Sequence, residues 1–105
     1  MGLLDFIFKI RNSKIREYLR NDAVILDVRD REEFENGHLE KSMHIPAKEL
    51  VNHVDQLKAL NRPVITCCAS GMRSAKASKF LNLHNIPALN GGSWQNLKKI
   101  KGQLR

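Results

Sequence analysis

At 105 residues, 42% of them apolar, the chain is the size of one domain with a single core that needs no metal or disulfide staple. Its two cysteines are adjacent, and neighbours in sequence do not form an ordinary structural bridge, so a secreted disulfide scaffold is excluded. The formal charge of +7 is uneven: residues 1–55 hold eleven acids against nine Lys or Arg, while residues 56–105 hold nine Lys or Arg and no acid.

Taken in chain order, the sequence alternates short apolar runs with helical patterns. Leu3, Phe6, Ile7 and Ile10 share one helical face, so residues 1–12 read as an N-terminal amphipathic segment packed on the domain. Asp5 and Lys9 interrupt its apolar character and no basic region precedes it, so it is neither a signal peptide nor a spanning helix. Phe6 also stands where a myristoylation signal has Ser or Thr. A cytoplasmic protein with no membrane partner is therefore expected. Asn12 or Ser13 is positioned to cap a second helix over residues 14–20, and Asn21-Asp22 makes a turn. Residues 23–26 form a continuous apolar run, the pattern of a strand buried on both faces. Asp30 and Glu33 have capping-box spacing for a short helix that Asn36-Gly37 stops.

Residues 43–45 read as a short strand closed by Pro46, and residues 47–61 as a helix with Leu50, Val54, Leu57 and Leu60 inward. Behind Pro63, residues 64–66 are a buried strand. Residues 74–81 follow as a helix that offers Ala75, Phe80 and Leu81 to the core. Residues 86–89 are a last strand. Gly91-Gly92 permits a turn with positive φ, and Ser93 caps a final helix carrying Trp94, Leu97 and Ile100, with Trp94 as a core anchor. This alternation predicts an α/β fold, a central mostly parallel sheet with helices on both faces. In such sheets ligands bind beyond the carboxyl ends of the strands.

That edge is where Cys68, Ala69, Ser70, Gly71, Met72, Arg73 and Ser74 fall. A strand, a loop of small residues and a helix N-terminus together make an anion cradle, because unpaired backbone N–H groups converge there. A thiol in it loses its proton more readily than a free one, since the helix dipole and Arg73 both favour the thiolate. Successive strand side chains point to opposite faces, so Cys67 is expected to face the apolar layer as an inert thiol and Cys68 the loop. Ser70 and Ser74 can donate hydroxyl bonds to the sulfur or to the helix start. Asp27 and Arg29 read as an ion pair tying strand ends to loops. His38 and His44 lack metal-ligand spacing and read as framework residues, and His53 and His84, on predicted helices, carry even less signal; no metal is expected.

These residues also carry a family resemblance. The run from Cys68 to Ser74 resembles the Cys-x-x-Gly-x-Arg-Ser loop of single-domain rhodaneses, the thiosulfate sulfurtransferases. Three further stretches match in order: Leu26-Asp27-Val28-Arg29 with Glu33-Phe34, Gly37-His38-Leu39 with His44-Ile45-Pro46, and Asn90-Gly91-Gly92-Ser93-Trp94. The resemblance implies one rhodanese-like domain over residues 13–105 and a sulfurtransferase that needs no cofactor. Cys68 would be the catalytic nucleophile that carries sulfur as a persulfide, with Ala69, Ser70, Gly71, Met72, Arg73 and Ser74 binding substrate. The N–H groups of residues 69–73 would stabilise the persulfide charge, and Arg73 would chiefly fix the loop.

The implied partners are a small anionic sulfur donor such as thiosulfate and a thiophilic acceptor: cyanide, a thiol or a sulfur-relay protein. The basic half is then either a solvated face or a field that draws anions to the loop. Without an aromatic stacking set or a recognition motif, nucleic acid is not an expected partner. Two alternatives stay open. Cys67 and Arg73 have the Cys-x5-Arg spacing of cysteine phosphatases and arsenate reductases, and some such phosphatases share this fold. The domain can also be a non-catalytic interaction module, although such modules often lack the cysteine.

Overall fold

Four strands lie side by side in the order β2 (Met43–His44), β1 (Val24–Asp27), β3 (Val64–Cys68) and β4 (Ala88–Ser93), and all three pairings are parallel. This is seen in a computed structural model that describes residues 2–104. Parallel neighbours need crossovers, and helical segments supply them. They are α2 (Arg31–Glu35) after β1, a 3₁₀ turn (Ala47–Asn52) with α3 (Val54–Ala59) after β2, and α4 (Met72–Leu83) after β3. An opening helix α1 (Leu3–Arg20) and a closing helix α5 (Trp94–Gly102) complete the chain. The expected α/β architecture is found. Among the described residues no helix is long and apolar enough to cross a membrane.

Strand alternation divides the core into two layers, as a two-period pleat requires. On one face Val24, Leu26, Val28, Val64 and Cys68 pack with Leu50, Leu57, Ala77 and Leu81, so the 3₁₀ turn, α3 and α4 cover that side. On the other, Ile25, Ile65 and Cys67 pack with Ile15, Leu97 and Ile100, so α1 and α5 cover it. Every residue of β1 and β3 is buried, the consequence of a sheet covered on both faces.

Several expectations are corrected. The two N-terminal helices are one. Asn12 and Ser13 do not interrupt α1, because extending a helix adds one bond per residue, while a new start needs a costly nucleus and a breaker to stop the old helix. Nor does the first half of α1 pack on the domain. Leu3, Leu4, Phe6, Ile7, Phe8 and Ile10 are all exposed, and the helix is anchored further along by Ile15, Tyr18 and Leu19. The single helix expected over 47–61 is broken at His53; with no Gly or Pro in that stretch, nothing in the local pattern announces the 3₁₀ turn.

α4 begins at Met72, two residues early, and Ala75 points outward. Its buried face is Ser74, Ala77, Ser78 and Leu81, at the i, i+3, i+4, i+7 spacing; two positions are small serines, which a search for apolar residues passes over. β4 runs on through Asn90, Gly91 and Gly92 to Ser93, where a turn was expected. Of the two glycines only Gly92 has positive φ, +80°; at Gly91 the requirement is space, since a Cβ would stand 2.7 Å from Ile65 Cγ2 and 2.9 Å from the Thr66 carbonyl oxygen. Ser93 caps α5 as predicted, accepting the Asn96 N–H at 3.2 Å.

Candidate active site

β3 ends at Cys68 and α4 starts at Met72, so only Ala69, Ser70 and Gly71 separate strand from helix. The turn closes because Gly71 takes φ +99°, in the left-handed region where a side chain would be strained. It points the Gly71 N–H back at the sulfur, and Gly71 N donates to Cys68 Sγ at 3.0 Å. From the first turn of α4, Ser74 N donates at 3.4 Å and Ser74 Oγ lies 3.3 Å from the same sulfur. The expected cradle is present with a different donor set, Gly71 and Ser74 rather than the whole run 69–73. Ala69, Ser70 and Met72 are exposed, and Ser70 Oγ makes no hydrogen bond among the described residues.

Cys68 is the last residue of the strand rather than the first of the loop, and it has no exposed surface. Burial pushes its thiol up, but the Ser74 hydroxyl and the Ser74 and Gly71 N–H groups bonded to the sulfur outweigh it, and the net shift is downward. Cys67 shows the opposite balance. Its side chain lies in the other core layer, and burial, with the Asp27 carboxylate adding to it, pushes the thiol up to about 12. The sheet separates the two thiols, as alternation predicts. The Cys-x5-Arg reading from Cys67 is thereby corrected: that sulfur is sealed in the α1/α5 layer and cannot serve a loop on the α4 side.

Arg73 does not bond within the loop, as was expected. Its Nη1 and Nη2 donate to Glu33 Oε1 and Oε2 at 2.7 and 3.0 Å, a two-pronged pair that clamps the start of α4 to α2. Arg73 holds the Glu33 carboxyl down at about 2, so the pair is ionised at any ordinary pH. It is about a third exposed, so solvent screens it and its part is geometric more than energetic.

Sequence reasoning gave Asn90 no role. Its Oδ1 accepts from Ser74 Oγ at 2.7 Å and from Gly92 N at 2.9 Å, and its Nδ2 donates to the Gly71 carbonyl at 3.1 Å. The Ser74 hydroxyl has a single proton, which it gives to Asn90 Oδ1 or to the Cys68 thiolate but not to both, and the same amide braces the glycine that aims the N–H. Its only signal was a place in the fourth matched stretch. Glu33 was read as a helix cap, which it also is, accepting the Asp30 N–H at 3.2 Å; its partner lies 40 residues away.

Beneath the site, Asp27 and Arg29 form the expected ion pair, with Arg29 Nη2 2.8 Å from Asp27 Oδ2. His44 Nε2 meets the Arg29 carbonyl and His38 Nδ1 the Phe34 carbonyl, each at 2.7 Å, and both rings stack on Phe34; they are framework groups. Among the described residues no cluster of three His, Cys, Asp or Glu could hold a metal ion. A cleft of about 430 Å³ beside Val24 and Arg62 lies at the opposite end of the strands and touches no residue of the cysteine loop.

A family model for the rhodanese-like domain matches residues 12–98. The chain belongs to the rhodanese-like domain family. It is similar to the tRNA uridine(34) hydroxylase of Salmonella typhimurium, 35% identical over an alignment of 91 residues that covers 78% of this chain and 26% of that protein. It also resembles a tRNA sulfurtransferase of Thermoplasma acidophilum, 31% identical over 78 residues, 74% of this chain and 15% of that protein. This rhodanese-like domain therefore spans only 26% and 15% of the length of these curated relatives. Among solved structures, a rhodanese-like domain protein of Staphylococcus aureus superposes with a TM-score of 0.65 at 28% identity, covering 72% of this chain and 74% of that one.

Proposed function

We propose that this rhodanese-like domain is a sulfurtransferase that carries sulfane sulfur on Cys68. The observation that carries the proposal is a single one: a thiol of lowered pKa, aimed at by the Gly71 and Ser74 N–H groups, with no carboxylate or imidazole bonded to it among the described residues. A thiol whose pKa is lowered gives up its proton more readily and depends less on a general base. The Cys68 thiolate attacks the outer sulfur of a donor such as thiosulfate. The donor S–S bond breaks, its electron pair leaves on sulfite, and the enzyme keeps a persulfide whose negative charge the cradle stabilises. A nucleophilic acceptor, cyanide or a thiolate, then takes the outer sulfur and restores the Cys68 thiolate. Because Cys68 has no exposed surface, uptake requires the site to open locally before the donor reaches the sulfur.

Phosphate ester cleavage fits less well, since it needs an acid to protonate the leaving alkoxide and Glu33, the carboxylate bonded to the loop's Arg73, is held ionised by it. The name of the archaeal relative, a tRNA sulfurtransferase, supports sulfur chemistry. The reduced protein, mixed with thiosulfate and examined by intact-mass spectrometry, is expected to gain one sulfur atom, which cyanide or excess dithiol removes. A mass that never changes with thiosulfate or a polysulfide ends the proposal and leaves the interaction module.

The same geometry predicts a pH effect. Folding lowers the Cys68 pKa, so the acid limb of the uptake rate lies below that of an ordinary cysteine thiol. Ser74→Ala removes the strongest hydrogen bond holding it down. The limb is expected to move to higher pH and uptake near neutrality to slow, while Gly92 N still satisfies Asn90 Oδ1. A limb in the same place would show that the hydroxyl serves only Asn90.

A further inference from the structure

α1 leads through a short turn into β1, so it runs back along the sheet and brings its early residues to the carboxyl edge of the strands, where the cysteine loop lies. One side chain arrives there with nothing to bind. Arg11, one turn before the buried anchor Ile15, lies with its guanidinium over Gly92 and Gly71. A methyl on Gly92 would collide with Arg11 Nη2, and one on Gly71 would stand 4.0 Å from it. Gly71 is the residue whose N–H holds Cys68 Sγ at 3.0 Å. The bare glycines make a seat for the guanidinium at the rim of the cradle.

The charges around this rim leave Arg11 unmatched. Arg73 is neutralised by Glu33, and Arg29 is consumed by Asp27. Arg11 makes no hydrogen bond or ion pair among the described residues. A doubly charged donor approaching a thiolate meets like charge, and an unpaired cation at the entrance offsets that repulsion. A guanidinium suits the task, because its planar fork matches two oxygens of a sulfonate-like group. The residue lies one position before the range matched by the family model.

We propose that Arg11 is the donor-binding cation of this site, receiving the oxyanion end of a sulfonate-type sulfane donor such as thiosulfate while the outer sulfur is presented to Cys68. This rests on the sulfurtransferase reading. It makes the first helix, set apart in the sequence as an N-terminal segment, a part of the binding site.

The test has a binding arm and a kinetic arm, and the binding arm does not depend on sulfur transfer. In Cys68→Ser protein, titration with thiosulfate followed by the amide resonances of Gly71 and Gly92 is expected to saturate. Adding Arg11→Gln is expected to weaken the Kd about tenfold, the scale of one charge-assisted contact, with Arg11→Lys between the two. In the kinetic arm, with Cys68 intact, Arg11→Gln is expected to lower the kcat/KM ratio of thiosulfate to a neutral organic trisulfide about tenfold. No saturable shift in the Cys68→Ser protein, or a Kd within twofold after Arg11→Gln, overturns the proposal. So does an equal loss with both donors, which would make Arg11 a structural strut. If neither donor loads Cys68 in the unaltered protein, the sulfurtransferase reading fails, and the titration still decides whether Arg11 binds the oxyanion.

Discussion

Cys68→Ser is expected to lose all sulfur uptake from thiosulfate, whereas Cys67→Ala keeps it. The two residues are neighbours in one strand, so no difference in sequence position or local composition separates them. The difference is the side of the sheet. Cys68 faces α4, where Gly71 N and Ser74 N meet its sulfur and lower its pKa. Cys67 faces α1 and α5, where apolar neighbours and the Asp27 charge raise its thiol to about 12. A serine at 68 offers a hydroxyl that those hydrogen bonds cannot ionise near neutral pH, and no base touches it to help. Loss of the Cys67 sulfur leaves a small cavity in a closed layer, at a cost of about 1 kcal/mol, and leaves the loop untouched. Intact mass after thiosulfate reads the difference directly. Native alkylation followed by peptide mapping gives an independent reading, with label slow to enter because both thiols are buried, and found on Cys68. Sulfur uptake that survives Cys68→Ser, or label concentrated on Cys67, would transfer the nucleophile's role to the wrong side of the sheet and overturn the assignment.

What the sequence disclosed and what it withheld follow a physical line. Strands were legible where both faces are apolar, as at Val24 and Val64, and the two cysteines were correctly parted because alternation is a property of the backbone alone. The Ser93 cap and the Asp30–Glu33 box were legible because both are local. What was missed is what closes over long separations. Arg73 was assigned to its own loop because its partner Glu33 is 40 residues earlier. Asn90 reaches Ser74 across 16 residues and Gly71 across 19, and an isolated asparagine beside two glycines looks like a turn. Arg11 carries no signal in the sequence, and only the fold brings it against Gly92. The loop chemistry was in the motif; the groups that orient the loop were in the fold.

Arg29→Met is expected to cost the largest share of stability of any single substitution considered. Arg29 is not an ornament of the strand end. Its Nε donates to both Asp27 oxygens at 3.0 Å, its Nη2 to Asp27 Oδ2 at 2.8 Å and to the Gly37 carbonyl at 2.7 Å, and its Nη1 to the Glu33 carbonyl at 3.2 Å. Trp94 lies over the guanidinium at 5.0 Å, so one cation ties β1, α2, the turn after it and α5 together. Asp27 has no exposed surface and would keep only the Arg29 backbone N–H after the change. Removing one partner of a buried ion pair costs about 3–5 kcal/mol, because the remaining charge is stranded away from water. For a domain of this size that is a fall in Tm of very roughly 12–30 °C. Function suffers with stability, since α2 carries the Glu33 that clamps Arg73 and the loop. Pairing Arg29→Met with Asp27→Leu removes both charges, and the double variant is expected to recover part of the loss, as apolar replacement of a buried pair can be nearly neutral. Thermal melts of the four proteins close the cycle. A single variant within 1 kcal/mol of the parent, or a double variant less stable than Arg29→Met, would mean that the pair is not what holds this end of the sheet to α2.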